Sequence, residues 1–421
     1  MQGFRKTVIT GVFLLSAFPV FGQSFDEGLE AYNVGDYAAA IKIFVPLAEQ
    51  GDAPAQYILG VIYDDGSGVP QNDSEAASWY RRAAEQSYAP AEYNLGGMYF
   101  NGRGVPQNYS KAVSWYRLAA EQGDADAQFN LGLIYHKGLG VPQNYSEAVS
   151  WFRRAAEQGF AIAQSGLGDM YTNGWGVQQN YSEATAWYLR AAEQDYAPAQ
   201  LNLGVMYTNG WGVPQNYSEA LSWYHRAAEQ DHPSAQYNLG GMYFNGWGVS
   251  QNYDEAAAWY RLAAEQGHAN AQVNIGLMYD NGQGVPQNYS EAVSWYLRAA
   301  EQGVADAQHN LGIMYGNGMG VLKNESEAVL WYSRAAEQDY ADAQYNLSVS
   351  YAKGQGVSRN PVMAYMLVIL AVAQGNENAK QVQSVALSKL SPEQITEAEQ
   401  MASDWQVGTP LPQETDFKTW P

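Results

Sequence analysis

The chain has 421 residues, 46% of them hydrophobic and 14% aromatic, which is ample material for a large core and excludes a mainly disordered polymer. Acidic residues outnumber basic ones by 43 to 22, and the resulting net charge of −21 argues against an electrostatic nucleic-acid binder or a protein held on an anionic membrane surface. The absence of cysteine removes disulfides, thiol catalysis, zinc–thiolate sites and a lipoprotein anchor.

At the N-terminus Arg5 and Lys6 precede an apolar run from Thr7 to Val20, and Val20-Phe21-Gly22 offers residues that a signal peptidase accepts. Residues 1–22 are expected to be an export signal cut after Gly22, because roughly 14 apolar residues fall short of the ~20 that span a bilayer. The mature protein is then periplasmic or secreted, with no membrane span. Residues 23–51 carry a loop five residues shorter than those that follow (Tyr32 to Tyr37 against Tyr63 to Asp73) and are expected to form an N-terminal cap repeat.

From residue 52 to 376 the chain keeps a 36-residue period. Tryptophan recurs at Trp79, Trp115, Trp151, Trp187, Trp223, Trp259, Trp295 and Trp331, and tyrosine nine times from Tyr63 to Tyr351. Each unit holds a helix A, such as Ala125 to His136, and a helix B, such as Tyr145 to Gln158, divided by a glycine-rich loop. Asn144 stands where an N-cap belongs, with Glu147 placed to complete a capping box, and Gly159 reads as a stop. Two short helices bury too little alone. Stacking lets Leu131, Ile134 and Tyr135 of helix A and Val149, Trp151, Phe152 and Ala155 of helix B seal against the next pair, with Gly132 leaving room for close approach. The expected fold is all-α, a right-handed α-solenoid with an extended concave face.

The segment L-G-x-M-Y-x-N-G-x-G-V followed by S-E-A-x-x-W-Y-x-x-A-A-E-Q-G resembles the Sel-one-like repeat, a relative of the tetratricopeptide repeat with a longer loop, over roughly residues 25–376. The resemblance implies a solenoid that binds other proteins or assembles complexes. Exported bacterial members include envelope scaffolds and proteins that engage host molecules, a secretory immunoglobulin A binder among them. It thus implies an envelope or host protein as partner, with immunoglobulin one option. Members credited with β-lactam binding are cysteine-rich, and this chain departs from them.

Toward the C-terminus Leu367 replaces the helix-B tryptophan and Ser348 the helix-A glycine, while Pro361 to Ala373 is apolar enough for a buried core helix. Residues 377–405, with Ser391-Pro392-Glu393-Gln394 starting a helix, are expected to cap the open end, and 406–421 to be a flexible tail.

No constellation of reactive groups stands out, and neither a metal nor a cofactor is expected. The five histidines lack ligand spacing; Ser350-Tyr351-Ala352-Lys353 spells S-x-x-K without its companion motifs; the N-Y-S triplets read as helix caps; and the glutamates from Glu85 to Glu337 read as solvated partners of nearby arginines. The columns that vary between copies are more informative. Those starting at Tyr57, Val61 and Asp64 share one face of helix A and are expected to line the concave surface. They supply Tyr57, Tyr93, Phe100, Phe129, His136, Leu201, Tyr237, Phe244 and His309 as partner contacts, unless curvature buries them between repeats. In the loops the x of N-G-x-G is tryptophan three times running, Trp175, Trp211 and Trp247, a ladder that could grip an apolar surface, stack on carbohydrate, or fold onto the adjacent loop. The favoured function is a non-enzymatic binding scaffold; the alternative is a hydrolase or transferase acting on cell-wall or sugar polymers.

Overall fold

Asparagine and glycine set the limits of the helices. The computed structural model describes residues 22–412, where 22 helices and no strand are found. The expected signal, 1–22, lies outside the described residues except for Gly22, as does 413–421. Helix A of the repeat runs from Ala53–Asp65 to Ala341–Lys353 in nine copies, and helix B from Asp73–Ala84 to Pro361–Ala373. Each helix A ends on a glycine in the left-handed region, Gly138 at φ +71° for instance, where a side chain is disfavoured. Each helix B starts at an asparagine whose side chain accepts from the first turn, as Asn144 does from the Glu147 N–H at 3.1 Å.

The reciprocal capping box expected of Glu147 is not what closes this turn. The Asn144 N–H that the carboxylate would need already donates to the Tyr135 carbonyl at 2.9 Å, and the same clamp recurs in all nine repeats at 2.8 to 3.0 Å. It ties the end of helix A to the start of helix B. A full capping box forms instead at Ser391 and Gln394.

Between repeats the second loop glycine is the point of closest approach. A Cβ on Gly140 would lie 2.4 Å from Tyr109 Cβ, so only glycine lets this loop rest on the start of the preceding helix B. There Ser110 Oγ donates to the Gly140 carbonyl at 3.2 Å, and Ser290 and Ser326 repeat the bond. Within a repeat, Gly132 lies under the Phe152 ring, where a Cβ would come within 2.5 Å of it. In the last copy the register sets Ser348 against Val368 in place of this glycine–aromatic pair, so a larger residue on one helix is matched by a smaller one on the other.

Leu131, Ile134, Tyr135, Val149, Trp151, Phe152 and Ala155 are all buried, as stacking requires. The helix-B tryptophans are buried or half-buried, and six of them carry an arginine guanidinium over the ring at 4.4 to 4.7 Å, Arg154 over Trp151 among them. This corrects the arginine–glutamate pairing read from the sequence: the arginine three residues after the tryptophan lies on its ring, and among the described residues no ion pair joins it to the following glutamate.

By contact the chain divides into two compact units, Met1–Gln194 and Asp195–Pro421. The first is a stack of helix pairs from Gly22–Asn33 and Tyr37–Glu49 through Tyr181–Ala192, and the second runs from Ala197–Asn209 through Pro392–Asp404. Both are built as an α-solenoid. In the second, Pro361–Ala373 is buried on nearly every side, with Glu377–Leu387 and Pro392–Asp404 packed against it. The start of the expected tail is held in place: the Gly408 N–H donates to the Glu337 carbonyl at 2.7 Å, the Leu411 N–H to Glu337 Oε1 at 3.1 Å, and Leu411 is buried.

Candidate functional site

Helix packing decides which of the variable positions can reach a partner. In the first unit the aromatics of the variable face are half-buried and engaged with rings of the same or the next repeat. Tyr57 lies between Tyr80 and Tyr88, with centroids 5.8 and 5.4 Å away; Phe129 lies between Phe152 and Phe160; Tyr93 meets Tyr116, and Phe100 meets Tyr109. Burial pushes the Tyr57 and Tyr93 phenols up to about 12. His136 packs on Tyr145 and on Trp175, 5.0 Å away, and burial followed by the Lys137 charge lowers its pKa. Trp175 lies nearly parallel to Tyr145 at 5.9 Å and 13°, yet is 37% exposed. The polar interruption at Asp169 is a bonded group: the Tyr188 hydroxyl donates to it at 2.7 Å, and burial raises its pKa.

The second unit differs. Here Tyr237, Phe244 and Trp247 line one cavity of about 480 Å³, together with Tyr224, Tyr260 and Leu277. Trp247 stacks on Tyr217 at 5.6 Å and 15° and remains 43% exposed; Trp211 is 40% exposed. Trp175 and Trp247 each lie on the tyrosine that opens the preceding helix B, where folding onto the adjacent loop was one expectation, and each still presents surface to solvent. Leu201 is half-buried and does not line the cavity.

His309 is corrected as a partner contact. It is 9% exposed, its Nε2 is 2.9 Å from Asn346 Nδ2, and its ring packs against Tyr340 and Tyr332, so it is spent inside the stack.

Sequence reasoning missed the amides of the cavity, Asn238, Asn245, Asn274, Asn281 and Gln283. Most stand in columns that repeat, which made them look structural. The signal was in the helix-A column of Val61, Gly97, Leu133, Asp169, Val205, Gly241, Leu277 and Ile313, where Gly241 withdraws a side chain and opens the space.

The groups weighed for chemistry are engaged in packing. Ser350 Oγ donates to the Asn346 carbonyl at 3.2 Å, and the serine of several N-Y-S triplets makes the inter-repeat bond described above. Among the described residues no three histidine, aspartate or glutamate side chains gather around a possible ion position, and no helix is long and apolar enough to cross a membrane. A cavity of about 520 Å³ in the first unit, lined by Arg153, Tyr171, Gln178, Gln179, Asn180 and Glu183, contains none of the residues expected to contact a partner.

The Sel1 repeat model matches the chain nine times in succession, at residues 53–88, 89–124, 125–160, 161–196, 197–232, 233–268, 269–304, 305–340 and 341–376. Among solved structures the chain is similar to a protective antigen present in uropathogenic Escherichia coli strains and displaying an SLR fold, with 33% identity, 91% of each chain covered and a TM-score of 0.64. It is also similar to a Sel1 repeat protein from Oxalobacter formigenes, with 33% identity over 78% of this chain and 92% of that one, and a TM-score of 0.58. No curated protein matches the chain in sequence. Folds of this kind are scaffolds typically used for protein–protein interaction. With nine tandem matches and these relatives, the chain belongs to the Sel1 repeat family.

Proposed function

We propose that the protein is an exported, non-enzymatic scaffold that holds an envelope or host protein with the variable face of its A helices and its loop tryptophans. The observation that carries this reading is the division of labour within the repeat. Positions that pack or close the loop recur from copy to copy, whereas the columns of Tyr57, Val61 and Asp64 change, and in the second unit they open onto a cavity rimmed by an exposed tryptophan. Similarity to a protective antigen supports export, as do the basic and apolar stretches before Gln23.

The test is capture on the immobilised mature chain, residues 23–421, from envelope extracts and host secretions. A Trp175→Ala, Trp211→Ala, Trp247→Ala variant should keep its helical circular dichroism, since all three rings are more than one-third exposed, and lose the retained protein. Retention equal to that of the parent would remove the tryptophans from the binding surface, and retention of nothing by the parent would overturn the scaffold reading.

A further inference from the structure

The lining of the cavity in the second unit is neutral. Fifteen residues line it, and none is charged, in a protein of net charge −21. Five of the fifteen are aromatic and five are amides. The Asn245 amide donates to the Gly241 carbonyl at 2.8 Å and keeps its own oxygen as an acceptor, and Asn274 is bonded to Tyr260. Asn238, Asn281 and Gln283 are engaged by no other side chain or carbonyl among the described residues. Each therefore offers both a donor and an acceptor to whatever enters.

This lining selects by exclusion. A charged ligand finds no countercharge and would shed its hydration without return. A purely apolar side chain would strip water from the amides and leave them unpaired. A neutral polyol satisfies both halves: each hydroxyl gives and takes a hydrogen bond, as an amide does, and the C–H face of a sugar ring can lie on the Trp247 or Phe244 ring. The volume, about 480 Å³, is in the ordinary range of small-molecule sites.

The chain contains its own control. Helix A of the second repeat has the same Tyr-Asn-Leu-Gly-Gly-Met-Tyr-Phe-Asn run, Tyr93 to Asn101, as Tyr237 to Asn245. There Arg103 stands where the cavity has Trp247, Lys137 where it has Asn281, and Leu139 where it has Gln283. Arg103 is committed to Asp64 and Asp73. The same helix is thus flanked by charged side chains in one place and by neutral ones in the other.

We infer that the cavity framed by Tyr237, Gly241, Phe244, Trp247 and the Asn238 and Asn281 amides is a subsite for a neutral saccharide. This rests on reading the helix-A face as the holding surface, and it specifies that the partner is a glycoprotein engaged through its sugar.

The experiment titrates the mature chain with neutral oligosaccharides built on mannose, galactose or N-acetylglucosamine, and with sialylated counterparts, by calorimetry and saturation-transfer NMR. At least one neutral series should bind at a single site and its sialylated form more weakly. Trp247→Ala and Gly241→Leu should each weaken binding about tenfold or more, and Val34→Ala, at an exposed position of the first unit outside the variable face, should leave it unchanged. Gly241 is helical with no positive φ, and a Cβ there meets only the Tyr260 hydroxyl at 3.6 Å, so the helix accepts a side chain at this position; a thermal melt of Gly241→Leu equal to the parent's separates lost binding from unfolding. If no neutral oligosaccharide binds while a protein is still captured, the saccharide subsite falls and the scaffold stands. Saccharide binding without any captured protein supports the subsite and overturns the scaffold. A captured partner that stays after enzymatic removal of its glycans, yet is released by Gly241→Leu, assigns the cavity to a peptide and overturns the saccharide.

Discussion

Adjacent residues on one helix can have opposite tolerances, and Gly96 and Gly97 are such a pair. A Cβ on Gly96 would lie 2.8 Å from Tyr116 Cδ1, inside a ring that is buried, whereas one on Gly97 would meet only the Tyr116 hydroxyl at 3.5 Å. Alanine is worth up to about 1 kcal/mol more than glycine in a helix, and overpacking a tight core costs about 1–3 kcal/mol. Gly97→Ala should therefore be neutral or stabilising, and Gly96→Ala destabilising by about 1–2 kcal/mol, in urea unfolding followed by circular dichroism. Equal effects would mean that the glycine column is not held by the facing ring. His309 is the second residue whose setting has a measurable sign. Burial lowers its pKa below the ordinary 6.5, while the nearby Asp342 and Asp306 pull the other way. A histidine depressed in the fold contributes stability above 6.5 that is lost as pH falls through its folded value. His136, His232 and His268 are lowered in the same direction, so Tm should hold from pH 8 to about 6.5 and drop below it. His309→Gln should flatten that drop. The carboxylates raised by burial, Asp124 and Asp169 among them, act in the opposite sense at lower pH and cancel in the difference between variant and parent. An unchanged slope would show that the imidazole is not buried neutral.

A glutamine relay joins the helices, and it shows what the sequence could not convey. The buried Gln128 donates at 3.0 Å to the Ala120 carbonyl at the end of the previous helix B, which also accepts from the Gly123 N–H at 3.1 Å, and accepts from Gln158 Nε2 at 2.8 Å. The same Gln-to-Gln bond recurs at 2.8 Å for Gln86 to Gln56, Gln194 to Gln164, Gln302 to Gln272 and others. It breaks at the last repeat, where Gln374 turns to Asp339 and Gln344 Oε1 is left buried and unpaired among the described residues. Gln128→Leu removes the second bond to the Ala120 carbonyl, which keeps the Gly123 N–H at 3.1 Å, and turns the exposed Gln158 amide over to water, so a loss of about 1 kcal/mol is expected in denaturant unfolding. A stabilised variant would show the relay to be dispensable. Ring spacing and left-handed glycines made the helices and their register legible beforehand, since period and steric demand are properties of single positions. The relay, the Asn144 N–H bond to Tyr135 and the arginines lying over tryptophans were not legible. A column fixed by a hydrogen bond looks the same as one fixed by solubility until the partner thirty residues away is placed. For the same reason Tyr237, Phe244 and Trp247 were readable as candidates from their varying columns, while the amides beside them and the burial of His309 were not.

At the scale of the whole chain, a stack of repeats gains stability from its neighbours, so each end needs an element whose outer face can meet water. Pro361–Ala373 cannot be that element: Val362, Met363, Tyr365, Met366, Leu367 and Val368 are all buried, leaving no polar face to turn outward. Glu377–Leu387, Pro392–Asp404 and Leu411 supply the cover, and the Glu337 bonds to Gly408 and Leu411 hold the last of it in place. A chain ending at Gln374 exposes this helix. Burial of one such side chain is worth about 1.5–3 kcal/mol, and several are uncovered together, so the terminal repeats should not remain folded alone at that end. The expected outcome is association of the truncated chain on gel filtration, binding of a hydrophobic dye, and loss of hydrogen-exchange protection over about residues 305–373, with protection retained through 53–194 because nearest-neighbour coupling confines the damage. Met366→Glu in the truncated chain should suppress the association without restoring protection, since a charge repels a second copy but cannot replace the missing helices. A truncated chain that stays monomeric with full protection at 341–373 would mean that the repeats close their own end, and residues 377–412 would then need a role other than cover.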